Sequence, residues 1–313
     1  MNCACVYLDE RLGSYGFGEG HPFGPDRQAA FQRAFEQRGL DRQTRVLPAT
    51  AGTYEQLARF HTPEYLTRLQ QASKHGQGWL DQGDTPAFKG IWEAALAIAG
   101  SVCAAADRTM SGECRRALVP IAGLHHARRD SAAGFCAIND CGVVIEHLRA
   151  CHQIRRIAYI DIDAHHGDGV FYHYEDDPDI IIVDFHEDGR FLYPGTGRME
   201  ESGRGIAAGT KLNVPLPPAA DDAVFETLWT PAEEFLTRHP ADFYLLQAGA
   251  DSLQGDPITH LALSPATHRR VTQRLLACFG DKPLLVLGGG GYNRDNLAAA
   301  WCAVVEALIQ EPC

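Results

Sequence analysis

From residue 117 onward the chain is punctuated by short, continuously apolar runs, at 117–121, 157–162, 180–183, 243–246 and 284–287. Each is rich in branched side chains and lacks polar alternation, the pattern of a strand covered on both faces. Between and around them, apolar residues recur at helical spacing over 94–106, 140–151, 223–236, 265–279 and 294–309. Strands alternating with helices predict an α/β protein of three layers, with a mostly parallel central sheet flanked by helices. No internal repeat, low-complexity tract or Pro/Ser-rich linker divides the chain, so one domain over 1–313 is expected.

The polar residues fall in a consistent place. GLHH follows the first run, DAHHGDG the second, DFHEDG the third, QAGADS the fourth and GGGGY the fifth. Ligands of open parallel sheets bind beyond the carboxyl ends of the strands, where such loops converge. The Gly-rich, polar stretches at 13–25 and 74–88 are expected on the rim of that site.

Asp161, Asp163 and His165 are two apart, so in extended backbone they project from one face. So much charge at the end of a buried strand is costly unless a cation or hydrogen-bonded partner compensates it. Asp163 and His165 are therefore the leading metal ligands, with Asp251, which also follows a buried run, as the third. Two carboxylates and an imidazole suit Zn(II) with a position left open, and Fe(II) suits the same donors. Because two carboxylates offset much of the metal's charge, bound water would be less acidified than at an all-histidine site, and a protein base is wanted. The adjacent His125 and His126 can supply it, with Asp161 and Asp168 as orienting acids. Tyr292 ends the run Gly288 to Gly291, and its phenol, ordinarily of pKa about 10, stays protonated and can donate to a developing oxyanion. His166, beside a ligand on a turning backbone, is assigned packing or hydrogen bonding only.

Composition narrows the classes. With 45% hydrophobic and 22% charged residues the chain is neither disordered nor fibrous. A formal net charge of -12 argues against nucleic acid as a partner and weakly favours cationic substrates. The start, MNCACVYLDERLGSYG, lacks a basic segment followed by an apolar core, and no apolar run approaches membrane-spanning length. A cytoplasmic protein with no membrane partner is expected. The ten cysteines form no CxxC pair, so most are expected as reduced, small core residues. Oligomeric state has no signature in the sequence.

Taken together, LHHARRDSAAGFCAIND, YIDIDAHHGDGV, FLYPGTG, QAGADSLQGDP and LGGGGY resemble the histone deacetylase and acetylpolyamine amidohydrolase family. The resemblance runs from GEGHPFGPDR to GGGGYNRDNLAAAW and implies an arginase/deacetylase-like fold. It implies zinc on Asp163, His165 and Asp251, polarisation of an amide by Tyr292, and His126 as general base and acid. His125 would be its electrostatic partner, with Asp161 and Asp168 holding His125 and His126 respectively. Gly134 and Phe135 of GFC and Tyr193 of LYPG match the walls of an acyl-lysine tunnel; Asp84 matches a rim acid that grips substrate, and Arg27 an internal-channel arginine. A structural potassium ion would sit on Asp161, Asp163, His165, Asp184 and Phe185, largely through backbone oxygens. Asp184 stands where a serine is common, so it should alter the ion's affinity or pair with another group. Ala137 replaces a frequent aromatic after GFC, which leaves room beside the tunnel. Ile258 falls where polyamine-selective relatives carry an acid. The expected substrate is thus an acylated lysine of a peptide or protein, with acetylpolyamine or another small acylated amine as the alternative. A two-manganese ureohydrolase would want further acids at the strand ends and leaves Tyr292 without a role. A catalytically silent binding protein on this scaffold would be favoured by a missing ligand, histidine or tyrosine, and none is missing.

Overall fold

The five apolar runs form the centre of the sheet. The structure, a computed structural model, describes residues 4–310. Its strands are β1 (Ala4–Tyr7), β2 (Arg45–Leu47), β3 (Arg116–Val119), β4 (Ile157–Asp161), β5 (Ile180–Glu187), β6 (Lys211–Leu216), β7 (Phe243–Gln247) and β8 (Leu284–Leu287). They lie in the order β2-β1-β3-β8-β7-β4-β5-β6, every pair parallel. The strands from the five runs are thus consecutive neighbours, β3, β8, β7, β4 and β5, each buried at every residue. Parallel pairing points all their carboxyl ends the same way, so the five polar loops meet.

The three strands that the apolar pattern does not pick out lie on the flanks. β2 and β6 are the edges; β2 exposes Arg45 and Val46, and β6 carries Pro215, which an edge strand tolerates. β1 is only four residues long and reads as part of a mixed segment. The helices Ile91–Ser111, Asp140–His152, Asp222–Arg238, Pro265–Phe279 and Arg294–Gln310 cover the sheet where 3.6-residue spacing predicts them. Their starts follow capping chemistry: the side chains of Asn139, Asp221 and Ser264 each accept from a backbone N–H of the first turn. Helices Arg27–Gln37 and Pro63–His75 are additions to the sequence reading. No helix among the described residues is long and apolar enough to cross a membrane.

The cysteine expectation needs one correction. Cys5 and Cys114 are joined in a disulfide between β1 and the approach to β3, which the absence of CxxC spacing gave no hint of. Cys103, Cys136, Cys141 and Cys302 are free and buried, whereas Cys151 and Cys278 are free and exposed. Cys3 and Cys313 lie outside the described residues.

One helix contact braces the functional end of the sheet. Trp301 is fully buried, and its indole N–H is shared between the carbonyl oxygens of Ala248 (3.2 Å) and Gly288 (3.0 Å), the first residues past β7 and β8. Trp301→Phe keeps most of the ring but removes this donor from buried carbonyls. It should lower the unfolding free energy by about 1–3 kcal/mol in urea denaturation. Unchanged stability would show that the indole N–H does not support the loop ends.

Candidate active site

Asp163 and His165 follow β4, and Asp251 follows β7, its immediate neighbour. Their ligating atoms lie within 4.8 Å of one another, and all three residues are buried. Asp163 Oδ2 accepts from Gly290 N (2.8 Å) and Gln247 Nε2 (2.9 Å), and Asp251 Oδ1 accepts from Ala164 N (2.9 Å). Those bonds turn the remaining oxygens inward. Nδ1 of His165 is 3.0 Å from Asp163 Oδ1 and 3.2 Å from Asp251 Oδ2. The second contact lacks hydrogen-bond alignment, so Asp251 Oδ2 is a buried oxygen without a donor. A small space of about 10 Å³, the size of one ion or water, is lined by Asp163 and His165. A side chain at Gly290 would overlap Asp251 Oδ2, so glycine is required for this close approach.

The charge balance points the same way. Burial disfavours a charged His165, but its bond to Asp163 and the nearby carboxylate of Asp251 outweigh that and raise its pKa to about 10. Burial and the neighbouring charge of Asp163 raise Asp251, because two carboxylates this close cannot both ionise without a cation between them. An orphaned inward oxygen, hard and borderline donors, and ion-sized space fit a divalent metal.

The histidine pair sits on the loop after β3. His125 Nδ1 lies 2.7 Å from Asp161 Oδ2, and His126 Nδ1 lies 2.8 Å from Asp168 Oδ1. The two Nε2 atoms are 3.1 Å apart, so one must donate and the other accept. Burial opposes charge on His125, yet Asp161 and Asp163 raise its pKa to about 10. Burial and the adjacent positive His125 lower His126 to about 4. The consistent assignment makes His125 the imidazolium donor, while His126 is neutral with its lone pair on Nε2. Asp161 also accepts from the Tyr159 hydroxyl (2.6 Å), which helps hold its carboxylate in place.

Aromatic rings form the approach. Phe135 adopts φ 66°, and its backbone is pinned by Thr85 Oγ1 at its N–H (3.0 Å) and by the Tyr15 hydroxyl at its carbonyl (2.7 Å). Its ring lies 5.7 Å from that of Tyr292, and the Tyr193 ring lies 5.1 Å from His126. Gly134 lies between them, and a Cβ there would run into His126 and Tyr193. Burial and the charges of Asp251 and Asp163 raise the Tyr292 phenol well above its ordinary value, so it is a donor. No described residue hydrogen-bonds its hydroxyl.

The other expected residues are more dispersed. Asp84 lies on the rim, and Ile258 lies on the loop that carries Asp256, whose carboxylate accepts from both Ile258 N (3.1 Å) and Tyr292 N (2.8 Å). Arg27 is buried beneath, donating to the carbonyls of Gly291 (2.9 Å) and Gly289 (2.6 Å), with Nη1 unsatisfied. Asp184 sits opposite Asp161 in register and pairs with another group, His186 Nδ1 at 2.7 Å; its second oxygen accepts from Gly167 N (2.9 Å). The Phe185 side chain packs 4.5 Å from Phe225, leaving only its backbone available to an ion. His166 Nδ1 meets Thr196 Oγ1 at 2.9 Å.

Two supporting residues escaped the sequence reading. Gln247 ties Asp163 to Gly123 O (3.2 Å) and accepts from Gly249 N (2.7 Å), linking the histidine loop to the ligand loop. Buried Asp140 accepts from Gly123 N and Leu124 N, both at 2.8 Å, and so fixes the turn before the histidines. Gln247 lies inside QAGADS, where its polarity at the end of an apolar run was the available signal.

Residues 21–308 match the family model described as the histone deacetylase domain. The chain is 32% identical over 305 residues to histone deacetylase RPD3 of Saccharomyces cerevisiae, covering 95% of this chain and 69% of that protein. It is 33% identical over 291 residues to the acetoin utilization protein AcuC of Bacillus subtilis, covering 90% of this chain and 75% of that one. The crystal structure of the HDA15 HD domain superposes with a TM-score of 0.90 at 25% identity, covering 99% of this chain and 90% of that chain.

At pH 7 the metal-free cluster holds protons that a divalent cation must displace, since the pKa of His165 is raised to about 10. Calorimetric titration with Zn(II) in buffers of different ionisation enthalpy should therefore report release of about one proton or more per ion. Heats independent of buffer would contradict this charge balance.

Proposed function

The chain belongs to the histone deacetylase family and is a deacetylase acting on amide bonds, and from that premise we propose a zinc-dependent deacylase of acylated lysine built as one catalytic domain over 1–313. The observation that carries this reading is that His125, His126, Asp163, His165 and Tyr292 line one small space, with each histidine of the pair backed by its own carboxylate. Asp163, His165 and Asp251 are the residues that would hold the metal. Bound there, Zn(II) would supply Lewis-acid polarisation and a more acidic water.

The chain's own groups perform the proton transfers. His126 Nε2, kept unprotonated by burial and by the positive His125, accepts a proton from the attacking water. Asp168 fixes the tautomer that leaves Nε2 unprotonated. Water adds its oxygen to the acyl carbon, and the Tyr292 hydroxyl donates to the oxyanion. As the C–N bond breaks, the proton on His126 passes to the departing amine, leaving a carboxylic acid and a free amine. His125, paired with Asp161, limits the charge that His126 can hold and so favours this return of the proton.

Phe135 and Tyr193 form an aromatic entrance suited to a linear aliphatic chain, and Asp84 at the rim suits hydrogen bonding to substrate. Ile258 offers no charge for a second ammonium, which favours acyl-lysine over acetylpolyamine. The backbone oxygens of Asp163 and His165 accept no hydrogen bond from the described residues, which suits a potassium ion behind the site. Each side-chain oxygen of Asp184 already has one partner, His186 or Gly167.

Tyr292→Phe and His126→Ala should each lower kcat on an acetyl-lysine peptide by about 10² or more, in zinc-loaded protein of wild-type fold. Near-normal turnover in either variant removes that residue from the mechanism.

A further inference from the structure

A cavity of about 430 Å³ opens beside Tyr193, at the mouth of the aromatic entrance. One wall carries Asp81 and Asp84, and another carries Arg128 and Ser131. The acidic wall is rigidly built. Asp81 Oδ1 accepts from Gly83 N (3.0 Å), Asp84 N (3.1 Å) and Thr85 N (3.0 Å), which fixes the turn. Thr85 Oγ1 then donates to Asp84 Oδ1 (3.1 Å) and accepts from Phe135 N, so the Asp84 carboxylate is tied to the aromatic wall.

Charge on the two walls is at most loosely paired. Neither Asp81 nor Asp84 has an ion-pair partner among the described residues. Burial and the neighbouring Asp81 raise the pKa of Asp84 to about 6, the response of an acid that lacks a cation. Opposite, the guanidinium of Arg128 makes no hydrogen bond to a described residue; its nearest acid is Asp168, at 3.8 Å, and its side chain is 66% exposed. Arginine is suited to grip a carboxylate through two parallel N–H bonds. The site thus presents an acceptor for an ammonium, a donor for a carboxylate and, next to both, the aromatic ring of Tyr193.

An α-amino acid carries the matching ammonium and carboxylate on one carbon. We propose that this cavity receives the α-ammonium at Asp84 and the α-carboxylate at Arg128 of a free amino acid whose acylated side-chain amine enters the tunnel. The preferred substrate is then a free Nε-acyl-lysine. This rests on the deacylase reading above and narrows it. An internal protein residue has neither charge, and an acylpolyamine offers no carboxylate and sets an ammonium against Arg128.

The test compares kcat/KM of zinc-loaded enzyme for Nε-acetyl-L-lysine, its carboxamide, its Nα-acetyl derivative, and a capped peptide in which acetyl-lysine is followed by aspartate. The free amino acid should exceed the carboxamide by about tenfold or more, chiefly through KM. In Arg128→Gln that ratio should fall towards one. The ratio cancels any effect passed through Asp168, because both substrates share the same chemistry. Equal kcat/KM for acid and carboxamide, or a ratio unchanged in Arg128→Gln, overturns the assignment. So does a capped peptide that matches the free amino acid, since the carboxylate would then come from a neighbouring side chain. Hydrolysis of the carboxamide at an equal rate removes the rim assignment alone; hydrolysis of none of the four defeats the deacylase reading and this one with it.

Discussion

Negative charge buried at the carboxyl ends of adjacent strands is the constraint on which the rest of the structure depends. Asp161, Asp163, Asp184 and Asp251 are all inaccessible or nearly so, in a setting where an uncompensated carboxylate is very costly. Two of these acids have a partner of their own. Asp161 is held by His125 and Tyr159, and Asp184 by His186. Just outside the strand, Asp168 has His126. Asp163 and Asp251 share a single imidazole, that of His165, and one inward oxygen remains without a donor. The cluster is thus incomplete without a cation at one point, beside the His125–His126 pair.

The surrounding fold keeps that imbalance in place. Gln247 and Gly290 hold Asp163, Asp140 holds the turn before the histidines, and Trp301 braces the carbonyls past β7 and β8. Each support comes from a different element, so the geometry is a property of the whole sheet end. The same logic reaches the rim, where Thr85 connects Asp84 to the Phe135 backbone. The rim acid is therefore mechanically joined to the Phe135 wall.

Much of this was legible because parallel strands buried on both faces write themselves as apolar runs, with polar residues collected at one end. Five such runs sufficed to locate the centre of the sheet and the convergent loops. The edge strands β2 and β6 were not legible, since solvent on one side dilutes the apolar pattern and Pro215 argues against a strand. Within the site, residues two apart on a strand declare a shared face. A hydrogen bond such as Gln247 to Gly123 O joins positions far apart in sequence and leaves no local signature. The same is true of the Cys5 to Cys114 bond, and of Arg128 facing the Asp81 turn across a cavity.

The most direct test of this account is the metal content of the purified protein beside that of Asp251→Asn, with folding followed by circular dichroism. One tightly held divalent ion per chain is predicted for the wild type, with much of it lost in the variant while the fold persists. Full amide hydrolysis by protein containing no divalent metal would contradict the central claim.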